Sequence, residues 1–195
     1  MKKIILAAAS VAAIAAFAAP ASAQVRSGAR IEAMAGWDNV SIGLEDYGVD
    51  ASIDESGIVF GIGAGYDFAM GENSSFGIDI EASESTAEGD YEDGGDTAGI
   101  NYGRDLYAGL RFTTAVGENT NIYVKAGYTN LRVSVNGEVD DDEVGGSANA
   151  NGVRAGVGAQ FGLGESAYIG AEYRYSNYEA GLTRHQAVAT LGFRF

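Results

Sequence analysis

Glu81, Arg111, Lys125, Arg154, Glu172 and Arg174 fall on one parity of short runs in which apolar and polar residues alternate. In extended chain, every second residue shares a face, so all six would point the same way. Asp67, Asp79 and Arg194 share that parity nearer the ends of their runs. Charges of both signs on the inner face of a narrow, water-poor structure must pair, because an unpaired buried ion is costly. Such a network can act as a gate that opens by exchanging partners, or as a polar core that closes the interior. The second is the plainer reading and the one expected here.

Acid–base and nucleophilic chemistry have little to work with. The one histidine, His185, stands in Arg184-His185-Gln186-Ala187 near the start of the last run, with no serine two residues on. Ser176 is the distant serine that could approach it, but a catalytic histidine needs a placed nucleophile and an orienting partner. His185 therefore reads as a rim residue. Gly61, Gly63 and Gly65 recur at strand period with no following Lys-Ser/Thr, so they form no phosphate loop. The absence of cysteine removes disulfide and thiol chemistry. No catalytic, cofactor-binding or metal-ligating residue is expected, and the chain does not read as an enzyme.

The net charge of -15 is concentrated. Asp38, Glu45, Asp46, Asp50, Asp54 and Glu55 form one acidic stretch; Glu84, Glu88, Asp90, Glu92, Asp93 and Asp96 a second; Glu138 and Asp140-Asp141-Asp142-Glu143 a third. These read as three long loops, and they make nucleic acid an unfavourable partner. Clustered carboxylates are hard ligands for divalent cations. The third stretch lacks the spacing of an EF-hand loop, so a solvated surface loosely bridged by ambient cations is the expectation.

The elements that would position these residues are strands. Met70-Gly71-Glu72-Asn73-Ser74, Val116-Gly117-Glu118-Asn119-Thr120 and Leu163-Gly164-Glu165-Ser166-Ala167 are similar short turns, 46 and 47 residues apart at their glycines. Each ends one alternating run and begins the next. Eight runs follow, near 30–37, 58–68, 76–85, 102–113, 122–134, 153–161, 168–176 and from Ala187 to the end. One face is apolar, as in Leu106, Ala108, Leu110 and Phe112, or Val153, Ala155, Val157 and Ala159. The other mixes glycine with charge. That pattern suits lipid outside and a filled lumen within, the reverse of a soluble barrel. Trp37, Tyr102, Tyr128, Tyr175, Phe68, Phe76, Phe112 and Phe161 near the run ends are expected to form interfacial girdles. The expected fold is all-β: an eight-stranded antiparallel up-and-down transmembrane β-barrel, with a lumen just wide enough to be filled by side chains.

Met1-Lys2-Lys3, the apolar stretch 4–19 and Ala21-Ser22-Ala23 read as a cleavable signal peptide over residues 1–23, leaving a barrel domain over 24–195. Gly63-Ala64-Gly65-Tyr66, the segment from Asp105 to Phe112, Tyr123-Val124-Lys125-Ala126-Gly127-Tyr128, Glu172-Tyr173-Arg174-Tyr175 and Leu191-Gly192-Phe193-Arg194-Phe195 together resemble the small OmpA/OmpX-type and opacity-type (porin-like) barrels of the Gram-negative cell envelope. The resemblance implies placement in the outer membrane, contact with its lipid, and recognition of Phe193 and Phe195 by the barrel-assembly machinery. The family is functionally diverse. A monomeric structural or surface-interaction barrel displaying acidic loops is expected. A narrow ion or small-solute channel is the alternative, and a lipid A-modifying enzyme a remote one.

Overall fold

The computed structural model describes residues 27–43, 52–93, 96–139 and 142–195, with the backbone alone for 52, 90–93, 96–98, 138–139 and 142–144. It contains nine strands: β1 (Gly28–Gly43), β2 (Ser52–Met70), β3 (Ser74–Ser85), β4 (Glu88–Asp93), β5 (Asp96–Ala115), β6 (Thr120–Val139), β7 (Asp142–Gly162), β8 (Ala167–Tyr178) and β9 (Leu182–Arg194). Sequential neighbours other than β3 and β4 pair antiparallel, β1 pairs with β9, and β3 pairs with β5, which closes the ring. From Val59 and Ser85 to the short turns this closure leaves no strand edge, the condition for a sheet to stand in lipid.

The ring has the eight staves that the runs predict, but the third is broken in two. β3 and β4 both pair with β5, and Thr86 and Ala87 separate them. Side chains join the remaining backbone bonds at the break: Ile58 N donates to Thr86 Oγ1 at 2.9 Å, and Ala87 N to Ser85 Oγ at 3.1 Å. Such local bonds compete with strand pairing. Gly57 makes the kink possible, since a Cβ there would lie 2.3 Å from Ala87 N.

Alternation fixes the two faces. Ile62, Ile80, Leu110, Val124, Val157 and Leu191 are exposed on the outside, while Glu32, Glu81, Arg111, Lys125, Arg154 and Glu172 are buried inside. The expected girdle aromatics are exposed with one exception. Tyr102 is buried, because Gly103 and Arg104 form a bulge opposite Arg132 and reverse the parity of β5 beyond it. Nor is the inner face only glycine and charge: Met34, Val59 and Val188 are buried there as well.

The acidic stretches differ from the expected loops. They lie largely on paired hairpin arms that continue the staves: β1 and β2 stay in register to Gly43↔Ser52, β4 and β5 to Asp93↔Asp96, and β6 and β7 to Val139↔Asp142. The sequence hides this because apolar residues move to the inner face there, as at Val40, Ile42, Ile100 and Val133, so the outward apolar alternation of the staves breaks off. Glu45, Asp46, Asp50, Asp140 and Asp141 lie outside the described residues. The fourth connection, between β8 and β9, is instead a tight turn of three residues, Glu179-Ala180-Gly181, with Ala180 at φ 60 and Gly181 at φ 70. One end of the barrel therefore carries three tall hairpins and one short turn. The other carries the three short turns and the last strand's end.

Candidate functional site in the barrel interior

Inward parity brings charges from all around the ring into three levels. Near the turn end, Arg30 pairs with Asp67 and Asp79. Arg111 donates from Nε to Asp79 Oδ2 at 2.8 Å, and from both terminal nitrogens to Glu32 at 3.2 Å. Glu32 also accepts from Tyr168 OH at 2.8 Å and from Gln160 Nε2 at 3.2 Å. Two rings face guanidinium groups here, Tyr123 at 4.2 Å from Arg111 and Tyr168 at 4.6 Å from Arg194.

The middle level is built around Lys125. Its Nζ lies 2.5 Å from Glu81 Oε1 and 2.7 Å from Glu172 Oε1. Arg174 donates from Nε to Glu172 at 2.5 Å, and its Nη1 stands 3.3 Å from Glu81. Tyr123 OH closes the set on Glu172 at 2.5 Å. The two glutamates thus share Lys125 and Arg174, and Glu81 has Arg154 as a third cation.

Towards the hairpin end, Asp105 accepts from Arg184 Nη1 at 2.9 Å, Tyr178 OH at 2.8 Å and Thr129 Oγ1 at 2.6 Å, and pairs with Arg154. Arg184 grips Asp38 in a two-point bond, Nε to Oδ1 at 2.7 Å and Nη2 to Oδ2 at 2.6 Å. This parallel geometry is the strongest form of carboxylate–guanidinium contact. Above this level the inward residues turn apolar: Val40, Ala87, Tyr102, Leu131, Tyr178 and Leu182 pack together, each buried.

Of the six residues singled out by parity, Glu81, Lys125, Glu172 and Arg174 meet in the middle level. Arg111 belongs to the turn-end level, with Asp79 and Glu32 as partners. Arg154 binds Asp105 and Ser176 Oγ, and its Nη1 reaches Glu81 at 3.8 Å, joining two levels. Asp38 is not a loop residue: it has no exposed surface and lies between Arg184 and Ser85. The first run does not end at Trp37. Its inward residues become Val40 and Ile42, which hides the continuation. Glu32, Asp105 and Arg184 were legible by the same parity, Glu32 and Asp105 inside runs already read and Arg184 just before the last one.

The residue pattern of the outer membrane protein β-barrel domain family matches residues 9–195. The chain belongs to this family. It resides in the outer membrane of a Gram-negative cell, and its exposed apolar face is the lipid face. Neisserial surface protein A is 17% identical, with 87% of this chain and 98% of that chain covered at a TM-score of 0.59. The attachment invasion locus protein of Yersinia pestis is 13% identical, with 87% and 100% covered at 0.56. At these identities the likeness is one of fold. No curated protein sequence matches the chain.

In this outer-membrane barrel, His185 and Ser176 cannot form a couple. His185 is on the lipid side, with Nδ1 2.7 Å from Tyr173 OH and the Tyr175 ring 4.9 Å away. Ser176 faces the lumen and has no exposed surface. They belong to neighbouring strands but to opposite faces of the wall.

Proposed function

We propose that the chain is a closed outer-membrane barrel with a structural and surface role, in which the lumen is a packed ionic core and the acidic hairpins are the display. The observation that carries this reading is Asp105, gripped by Arg154, Arg184, Tyr178 and Thr129 directly below the apolar layer of Val40, Leu131 and Leu182. A charged level sealed by an apolar one leaves hydrated ions no continuous polar path. On this reading residues 1–23 are removed as a leader, 24–195 form the barrel, and the three short turns face the periplasm. The hairpins stand outside the cell, where their carboxylates hold ambient cations loosely. Phe193 and Phe195, both exposed on the lipid side, engage the assembly machinery, and the folded protein is a monomer. Two barrels of this fold are named for the cell surface and for attachment, which fits a display role. No catalytic role is assigned to any residue.

A narrow channel is the second reading, favoured by one feature. Gln186 is fully buried beside Arg174 and Asp38 in register, yet neither its amide nitrogen nor its oxygen has a hydrogen-bond partner among the described residues. Polar space therefore exists between the middle and hairpin-end levels. Planar-bilayer recording separates the readings: the packed core gives no discrete conductance steps, whereas regular steps from the purified wild-type protein would favour the channel.

A further inference from the structure

The exterior of this acidic chain carries one basic feature among the described residues. Arg104 on β5 and Arg132 on β6 both point outwards, and the bulge is what sets them side by side: Gly103 and Arg104 together oppose Arg132. Neither arginine forms an ion pair among the described residues, while Arg30, Arg111, Lys125, Arg154, Arg174 and Arg184 inside all do. Neutral groups hold them instead. Arg104 Nη2 donates to Asn130 Oδ1 at 3.3 Å, and Arg132 Nη2 to Ser147 Oγ at 3.0 Å. Arg104 Nε is buried with no partner. Two outward carboxylates on these staves, Glu84 across Gly103 and Glu179 on Asn151, pair with neither guanidinium.

Depth identifies what such a pair would meet. On three adjacent staves the outer face changes from apolar to polar within two residues of register: Leu106 to Arg104 on β5, Tyr128 to Asn130 on β6, Val153 to Asn151 on β7. Leu106, Tyr128 and Val153 are exposed, and the two arginines stand just beyond that apolar limit. Lipid headgroups begin there. Guanidinium is the side-chain group best matched to phosphate, because its planar fork donates two parallel bonds.

We propose that Arg104 and Arg132 bind the phosphate of a lipid headgroup in the outer leaflet, a contact that fastens an otherwise repulsive, acidic protein to an anionic membrane surface. The leaflet rests on the topology given under the proposed function; the phosphate site itself does not.

The test uses the folded barrel in detergent, stripped of lipid, with lipid A carrying its phosphates or the same lipid dephosphorylated, and retention read by native mass spectrometry. Wild type should keep the phosphorylated form about tenfold or more over the dephosphorylated one, as two interfacial cations imply. R104Q/R132Q should lose that preference while remaining heat-modifiable on gels. Equal retention of both lipids by wild type, or an undiminished preference in R104Q/R132Q, overturns the proposal. So does displacement of the lipid by an equal concentration of inorganic phosphate, which would make the site one for a free anion. Topology is read separately: a cysteine at Gly145 that stays unlabelled in intact cells, with one at Gly117 labelled, would overturn the leaflet and leave the phosphate site standing.

Discussion

The lumen and the hairpins use the same charged residue types to opposite ends. Inside, Glu32, Asp38, Asp67, Asp79, Glu81, Asp105 and Glu172 face Arg30, Arg111, Lys125, Arg154, Arg174, Arg184 and Arg194, seven carboxylates against seven cations. In the hairpin stretches, sixteen acidic residues remain once Asp38 is placed inside, and Arg104 and Arg132 are the nearby basic residues. Solvent explains the difference. A buried ion must find its counter-charge within the protein, because no water replaces its hydration shell. An exposed one is hydrated and screened within about 10 Å by salt. Charge balance is thus a structural requirement in one region and a matter of surface identity in the other.

The largest effect should come from breaking the inner balance. Asp105→Ala leaves Arg154 and Arg184 without their shared carboxylate and should cost about 3–5 kcal/mol in urea unfolding from lipid vesicles. That cost should hardly change between low and high ionic strength, because the pair lies out of reach of salt. A loss that vanished in high salt would place the charge in solvent and erase the contrast. A charge on the lipid face should come next. Val157→Arg, on the exposed apolar side of β7, should cost about 2–4 kcal/mol in the same assay, as a lipid-facing cation does near the midplane. The smallest effect belongs to the hairpins: Gly145→Arg, at an exposed position of β7, should stay within about 0.5 kcal/mol of wild type. If it cost as much as Asp105→Ala, the two regions would not differ in kind.

The same contrast explains what the sequence reveals. Strand number, turns and the lipid face are legible because lipid tolerates only apolar residues and the pleat repeats every two positions. Val153, Ala155, Val157 and Ala159 can be read directly as one face. Where water lies on both sides, as at the exposed positions 135–136 and 145–149, nothing forces alternation and paired arms pass for loops. Asp38 and Tyr102 mark the boundary between these regimes. One continues a stave whose inner face has become apolar; the other sits past a bulge that reverses parity. Parity also assigns a charge to the lumen without naming its partner. Arg184 and Asp38 are 146 positions apart, and Gln160 and Glu32 128, so only ring closure and register decide that they meet. That is why Arg154 could be placed inside from the sequence but not with Asp105.

Because the chain has no cysteine, a single introduced thiol reports solvent access at one point without background. Ser176→Cys is the sharpest choice. Its side chain is fully buried at the hairpin-end level, where Ser176 Oγ accepts from Arg154 Nε at 2.8 Å. The folded variant in lipid vesicles should resist a small charged thiol reagent until it is unfolded, while Gly145→Cys in the same preparation labels at once. Labelling of Ser176→Cys in the folded protein at the rate of Gly145→Cys would mean that water and ions reach the core, and the closed ionic lumen would be contradicted.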